Sequence, residues 1–226
     1  MVRAIVSKLK WVAVFFALGS VVHVWIYRLV PIPITPLMCI RLVERFVEGK
    51  ELKLEKQWIA IDEVSPYLPL AVIAAEDQNF LSHYGIDFDA IQKALDKNRK
   101  SKNLYGASTI TQQVAKNVFL LPYRSLIRKF FELYYSFLIE LFWSKKRIME
   151  VYLNVIEWGD GIYGARQATQ AYFHHPPKHL SREEAALLAA VIPNPRVWRP
   201  DRSTPYVLKR KAWILQQMRY LPLPHW

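Results

Sequence analysis

The sequence predicts a mainly α-helical domain carried on a single N-terminal membrane-spanning helix, and three observations predict it. An uncharged apolar run extends from Trp11 to Tyr27. From Pro66 onward, apolar residues recur at helical spacing and are punctuated by Ser, Thr and Pro start signals. No succession of alternating strands is present. With 52% hydrophobic and 22% charged residues in 226, the chain is able to bury a core and is not a disordered polymer.

The first element is the membrane helix. Arg3, Lys8 and Lys10 precede the apolar run and Arg28 follows it. At ~1.5 Å per residue the run spans roughly 25 Å, close to a ~30 Å hydrocarbon core once the flanking cations snorkel. Trp11, Trp25 and Tyr27 sit near its ends, where interfacial aromatics belong. Ala17-Leu18-Gly19 resembles a cleavage site, but the apolar run continues past it, so a retained anchor is expected. The basic flank places residues 1–10 in the cytoplasm, 11–28 in the membrane and everything from 30 onward outside.

Pro31, Pro33 and Pro36 end that helix, and 29–57 reads as a connector near the bilayer, amphipathic over 37–49. Leu52, Leu54, Ile59 and Ile61 suggest short extended pieces. The domain is expected over 58–226. Its helices are predicted from Pro66 to about His83, over 87–97, from Thr109 to about Leu120, and over 125–143. Further ones run from a Ser144 cap to near Gly159, over 182–192 behind a Ser181/Glu184 capping box, and from Thr204-Pro205 to about Tyr220. Residues 98–107 read as a basic, glycine-containing loop.

A formal net charge of +12 and a pI near 9.7 imply an anionic partner. The single cysteine, Cys39, excludes an intrachain disulfide and a multi-cysteine metal site. The predicted topology argues against nucleic acid, since the basic domain lies outside the cytoplasm.

Three segments carry the candidate chemistry. In the first, Val72, Ile73, Glu76, Phe80 and His83 share a face if the helix runs on to His83. Glu76 is then either a desolvated general base or a helix-end carboxylate turned to solvent. In the second, Gly106-Ala-Ser108-Thr109 precedes a helix in which Gln112 stands three residues after Thr109. Such a start either offers free N–H groups to an anion, with Gln113 and Lys116 on the polar face and Arg124 beyond it, or is an ordinary capped helix. In the third, Arg128 and Glu132 are one helical turn apart among Phe130, Phe131, Leu133, Tyr134 and Tyr135. Glu132 is either paired in a cleft or exposed on an aromatic surface, and Glu140 is a weaker candidate nearby. Two carboxylates flanking a cationic, amide-rich segment suit glycosyl transfer from a pyrophosphate donor. A glycan-cleaving enzyme also uses a glutamate against an apolar wall, but gives no reason for the Gln/Lys/Arg cluster. A non-enzymatic membrane scaffold would not need Glu76.

With these motifs the chain closely resembles the monofunctional biosynthetic peptidoglycan glycosyltransferases, whose catalytic domain is shared with class A penicillin-binding proteins. The resemblance covers roughly residues 58–220. It is carried by Glu76-Asp77-x-x-Phe80-x-x-His83-x-Gly85, Gly106-x-Ser108-Thr109-Ile110-x-Gln112-Gln113, Arg128-Lys129-x-x-Glu132, Lys146-x-Ile148-x-x-x-Tyr152-Leu153-Asn154, Gly161-Ile-Tyr-Gly164 and Arg210-Lys211-x-x-Ile214-Leu215-x-x-Met218. It implies a lysozyme-like fold with a membrane-associated lobe, in the bacterial inner membrane with the domain on the extracytoplasmic side. It implies polymerisation of lipid II with inversion, Glu76 serving as base toward the acceptor hydroxyl. Glu132 would act near the donor pyrophosphate, with a divalent cation such as Mg²⁺ or Mn²⁺ as its partner. Asp77, Phe80, His83, Gly106, Ser108, Thr109, Gln112, Gln113, Lys116, Arg124, Arg128, Lys129 and Arg210 would bind substrate. The stretch from Lys146 to Asn154 reads as structural. His174-His175-Pro176-Pro177 departs from a more usual Gly-Lys-Pro, and Lys211 from an arginine or polar residue. Too few residues follow the last helix for a transpeptidase domain, so uncross-linked glycan is the expected product, with other cell-wall synthesis proteins as expected partners.

Overall fold

A computed structural model describes residues 2–100, 106–123 and 125–226, with side chains from Val6 onward. Among the described residues there are ten α-helices and one three-stranded sheet, so the mainly α expectation holds. Among the described residues, the long helix α1 (Val2–Leu29) contains the one stretch apolar and long enough to cross a membrane.

The start signals expected at Thr109, Ser144, Ser181 and Thr204 all operate, and Thr35 and Ser125, which the sequence reading did not single out, also cap helices. Thr35 accepts the Met38 amide to cap α2 (Pro36–Val47), and Ser125 caps α6 (Leu126–Phe142). Ser144 caps α7 (Lys145–Val155), and Thr204 caps α10 (Pro205–Gln217). Full capping boxes open α5 (Ile110–Phe119), through Thr109 and Gln112, and α9 (Arg182–Val191), through Ser181 and Glu184. α4 runs Phe88–Lys100, three residues further than its pattern suggests.

The largest correction concerns α3 (Tyr67–Glu76), which stops at Glu76 instead of continuing to His83. Asp77 leaves helical geometry at φ −161°, ψ 79°, and turns follow through Ser82. Glu76, Phe80 and His83 therefore do not share a helix face. α7 likewise ends at Val155, short of Gly159, because residues 157–159 are needed as a strand.

The sheet and one helix escaped the sequence reading. β1 (Glu55–Lys56) pairs parallel with β3 (Ile162–Tyr163), which pairs antiparallel with β2 (Glu157–Gly159). Strands of two or three residues are too short to show an alternation. Gly161 turns between them at φ +73°, with Lys53 O 2.8 Å from where a Cβ would sit. α8 (Ala165–Phe173) follows, and its outer face is polar enough to pass for a loop. It ends at His174 in the left-handed region (φ 60°, ψ 28°), a conformation that costs a residue with a Cβ about 1–2 kcal/mol. This is why glycine suits the position. His174→Gly is expected to raise stability by roughly 0.5–1 kcal/mol, after glycine's own entropy cost. A urea melt with unchanged slope is the check.

The segment expected as a connector is tied into the body. On α2, Arg41 approaches Glu157 and Arg45 binds Asp160, both in or beside the sheet. Asn154 of α7 both donates to Ile59 O and accepts Ile59 N.

The anchor also docks. On α1, Ser20 bonds Tyr134 of α6 at 2.6 Å, Phe16 meets Phe131 edge-on, and Val24 O accepts the Trp143 indole N–H. At its end Arg147 of α7 donates to the Tyr27 and Val30 carbonyls, and Lys56 to those of Ile32 and Pro33. Both cations lie over the Trp58 ring.

Helix α6 is apolar on both sides, burying Tyr135, Leu138 and Ile139 in the core. Leu126, Phe130, Leu133, Phe137 and Leu141 recur at helical spacing on the exposed side, while Glu132 and Ser136 face inward. An exposed apolar stripe packed beside a candidate membrane helix marks an interaction surface, and a bilayer surface suits its position.

Candidate active site

Glu76 is the last residue of α3, and that placement delivers its carboxylate between two other helices. Gln113 of α5 donates to Oε2 at 3.0 Å, and Arg210 of α10 donates to Oε1 at 3.1 Å. The Glu76 side chain keeps only 14% exposure. Burial pushes its pKa above the ordinary glutamate value, while Gln113, Arg210 and Lys116 act against that rise. The sequence argument reached this outcome through a helix face that does not exist. The desolvation is real, but it comes from the junction of α3, α5 and α10.

Asp77 builds the site from behind. Its carboxylate accepts the Ile110 amide at 2.9 Å and the His83 ring N–H at 2.9 Å. Phe80 is fully buried beneath the Lys145 ammonium. Thr109 donates to Gly85 O, and Thr111 and Lys145 converge on Glu140. Phe80 and His83 are thereby held beneath the cleft, Asp77, Thr109 and Gln112 tie its floor together while also lining the openings beside Glu76 and Lys129, and Glu140 is held in an ion pair.

The start of α5 is also corrected. Its Ile110 and Gln112 amides are already satisfied by Asp77 and Thr109, and Gln112 returns a bond to the Thr109 amide. Those N–H groups are not offered to an anion. The positive charge comes from side chains instead. Lys116 of α5 is half-buried, its pKa lowered by desolvation, and both Glu76 and Glu132 act on it electrostatically. Arg128 and Lys129 each hold one oxygen of Glu132, whose side chain is 4% exposed. Of the two readings for Glu132, the paired cleft is the correct one. Lys129 also reaches Ser108. Arg124 lies outside the described residues.

The residues at Glu132 do not fit a divalent cation in this arrangement, because both carboxylate oxygens already carry cations. Among the described residues, Asp77, His83 and Asp87 have metal-like spacing, but they are committed elsewhere. Asp77 and His83 bond each other, and Asp87 accepts from Asn79 and the Ala90 amide.

Two openings meet this constellation. A cavity of about 210 Å³ beside Glu76 is lined by Asn79, Asp87, Lys93 and Gly106–Thr109. A groove of about 340 Å³, lined by Ile91, Ala94, Leu95 and Leu133, leads to Lys129 and Ser108. One residue that the sequence reading took as structural enters the site: Tyr152 of α7, fully buried, donates to Gln113 Oε1 at 3.2 Å. The available signal was a phenol on the buried side of a helix otherwise filled by Ile, Met, Val and Leu, since a buried hydroxyl requires a partner.

An apolar helix long enough to span a membrane, an exposed apolar helix face packed beside it and a buried carboxylate next to a cation cluster suit a membrane-associated enzyme acting on an anionic substrate. The chain belongs to the transglycosylase family, whose model matches residues 43–219, beginning within α2. It is 46% identical to the biosynthetic peptidoglycan transglycosylase of Pseudomonas fluorescens (strain SBW25) over 221 residues, covering 98% of this chain and 92% of the relative. It is 48% identical to the protein of that name from Pseudomonas syringae pv. syringae (strain B728a) over 219 residues, covering 97% and 91%. Its identity to the one from Bacteroides thetaiotaomicron is 46% over 221 residues, covering 98% and 89%.

Proposed function

We propose that this enzyme polymerises lipid II into β-1,4-linked glycan, with Glu76 as the general base. The observation that carries the reading is the Glu76 carboxylate, desolvated and held by Gln113 and Arg210 where α5 brings Lys116 between it and the Arg128–Lys129–Glu132 cluster. Glu76 takes the proton of the acceptor N-acetylglucosamine 4-hydroxyl as that oxygen bonds to C1 of the donor N-acetylmuramic acid. The C1–O bond to the diphosphate breaks on the opposite face, giving inversion, and its electron pair leaves with undecaprenyl diphosphate. The charge that a divalent cation would bring to the diphosphate is supplied here by Lys116, Arg128 and Lys129. The apolar groove ending at Lys129 suits a substrate whose phosphate adjoins a hydrocarbon tail.

The domain faces the extracytoplasmic side of the cytoplasmic membrane, as the basic residues before Trp11 support. Purified protein incubated with lipid II should yield a size ladder digestible by muramidase, and absence of polymer refutes the reading. A C-terminal alkaline phosphatase fusion should be active and a green fluorescent fusion dark. The reverse pair overturns the orientation.

Lys116→Ala removes the charge lying between the two carboxylates. Losing a charge-assisted bond to phosphate costs ~1.5–3 kcal/mol, or roughly 10- to 150-fold in kcat/KM. Wild-type kinetics would remove Lys116 from the site.

A further inference from the structure

The Gln113 amide is symmetrical in shape but not in chemistry. With its nitrogen toward Glu76 it donates to the carboxylate, as observed; rotated by half a turn it would set oxygen against oxygen. Glu76 gains the bond only if something selects the first orientation. Tyr152 does so. Its hydroxyl is fully buried on α7 and touches the other end of the same amide, donating to Gln113 Oε1. Burial, with the nearby Glu76 and Asp77 charges, holds the phenol pKa well above its usual value, so the hydroxyl remains a donor throughout the working pH range. A permanent donor behind the amide dictates its orientation in front.

Resting on the assignment of Glu76 as base, we infer that Tyr152 is a positioning residue that locks the Gln113 amide and so sets the basicity and aim of Glu76. The chain of contacts runs Tyr152 Oη to Gln113 Oε1, then Gln113 Nε2 to Glu76 Oε2. The other charged groups acting on Glu76 are Arg210 from α10 and Lys116 from α5, and Asp77 lies next to it in the chain. Arg210 holds the opposite oxygen, Oε1, so it does not substitute for the amide.

The test is the pH dependence of lipid II polymerisation by full-length Tyr152→Phe, Gln113→Met and the double variant. Tyr152→Phe keeps the ring that fills the core and deletes only the hydroxyl. Its acid limb in kcat should move to higher pH, with kcat near pH 6 falling about five- to tenfold, the effect of one lost hydrogen bond. KM and thermal midpoint should change little. Gln113→Met should move the limb in the same direction, and the double variant should match Gln113→Met, since the tyrosine acts only through the amide. An unmoved limb in Tyr152→Phe, or independent additive losses in the double variant, overturns the inference. If Tyr152→Phe fails to fold, an unmoved limb in Gln113→Met overturns it equally. Failure of the base assignment shows differently, as a Glu76→Gln enzyme that retains wild-type turnover.

Discussion

Glu76→Gln is expected to fold, to bind lipid II and to lose at least ~100-fold in turnover, the lower end for removal of general-base help. A sugar hydroxyl is a weak nucleophile until its proton moves in the transition state, and glutamine cannot accept that proton. The substitution keeps the size of the side chain and an oxygen for Arg210 or Gln113 to bond. Folding raises the Glu76 pKa, so the native state binds its proton more tightly than the unfolded chain does. Stability contributed by that proton is present at low pH and is lost as pH rises through the raised pKa. Removing the ionisable group should therefore leave the protein no less stable at neutral pH while abolishing activity. The measurement is single-turnover polymerisation alongside a thermal melt. A folded variant with near wild-type turnover would end the base assignment.

Glu132→Gln is the second large effect, and its origin is different. The carboxylate lies 4% exposed between Arg128 and Lys129, one oxygen to each. Removing one partner of a buried ion pair typically costs 3–5 kcal/mol, and here two neighbouring cations would be left repelling one another. That cost falls on folding and should lower the thermal midpoint. We expect kcat/KM to drop by about 100-fold because Arg128 and Lys129 are no longer held in place for the departing diphosphate, a loss comparable to one charge-assisted bond of ~3 kcal/mol. Exchange of Mg²⁺ for Mn²⁺ separates two roles for Glu132. The double cation clamp predicts no recovery with either ion, whereas recovery would place a divalent cation at this carboxylate.

The helices were legible because their caps are local. Ser144, Thr204 and the Thr109/Gln112 and Ser181/Glu184 pairs each satisfy amides within three residues. The end of α3 was not legible. Nothing near Asp77 in sequence breaks a helix, and the break occurs because its carboxylate is drawn to the Ile110 amide, 33 residues away. The site divides in the same way. Residue types showed that Glu76, Glu132 and the cations belong together, but not which side chains line the cleft and which hold it up. The family resemblance reads Asp77 and His83 as substrate-binding, and Tyr152 as structural. Their hydrogen bonds reach partners 33 and 39 residues away, Asp77 to the Ile110 amide and Tyr152 to Gln113, which a local pattern does not name.

The docked anchor has a consequence for how the polymer travels. Were residues 29–57 a loose tether, the domain could stray roughly 30 Å from its membrane helix. The grip of Arg147 and Lys56 on the carbonyls of Tyr27, Val30, Ile32 and Pro33, with α2 strapped to the sheet, removes that freedom. Glu76 is thereby held at a fixed place relative to the anchoring helix. On the proposed function, each lipid-linked disaccharide would have to diffuse laterally to a site that does not shift against its anchor, so the growing strand, not the enzyme domain, would do the moving.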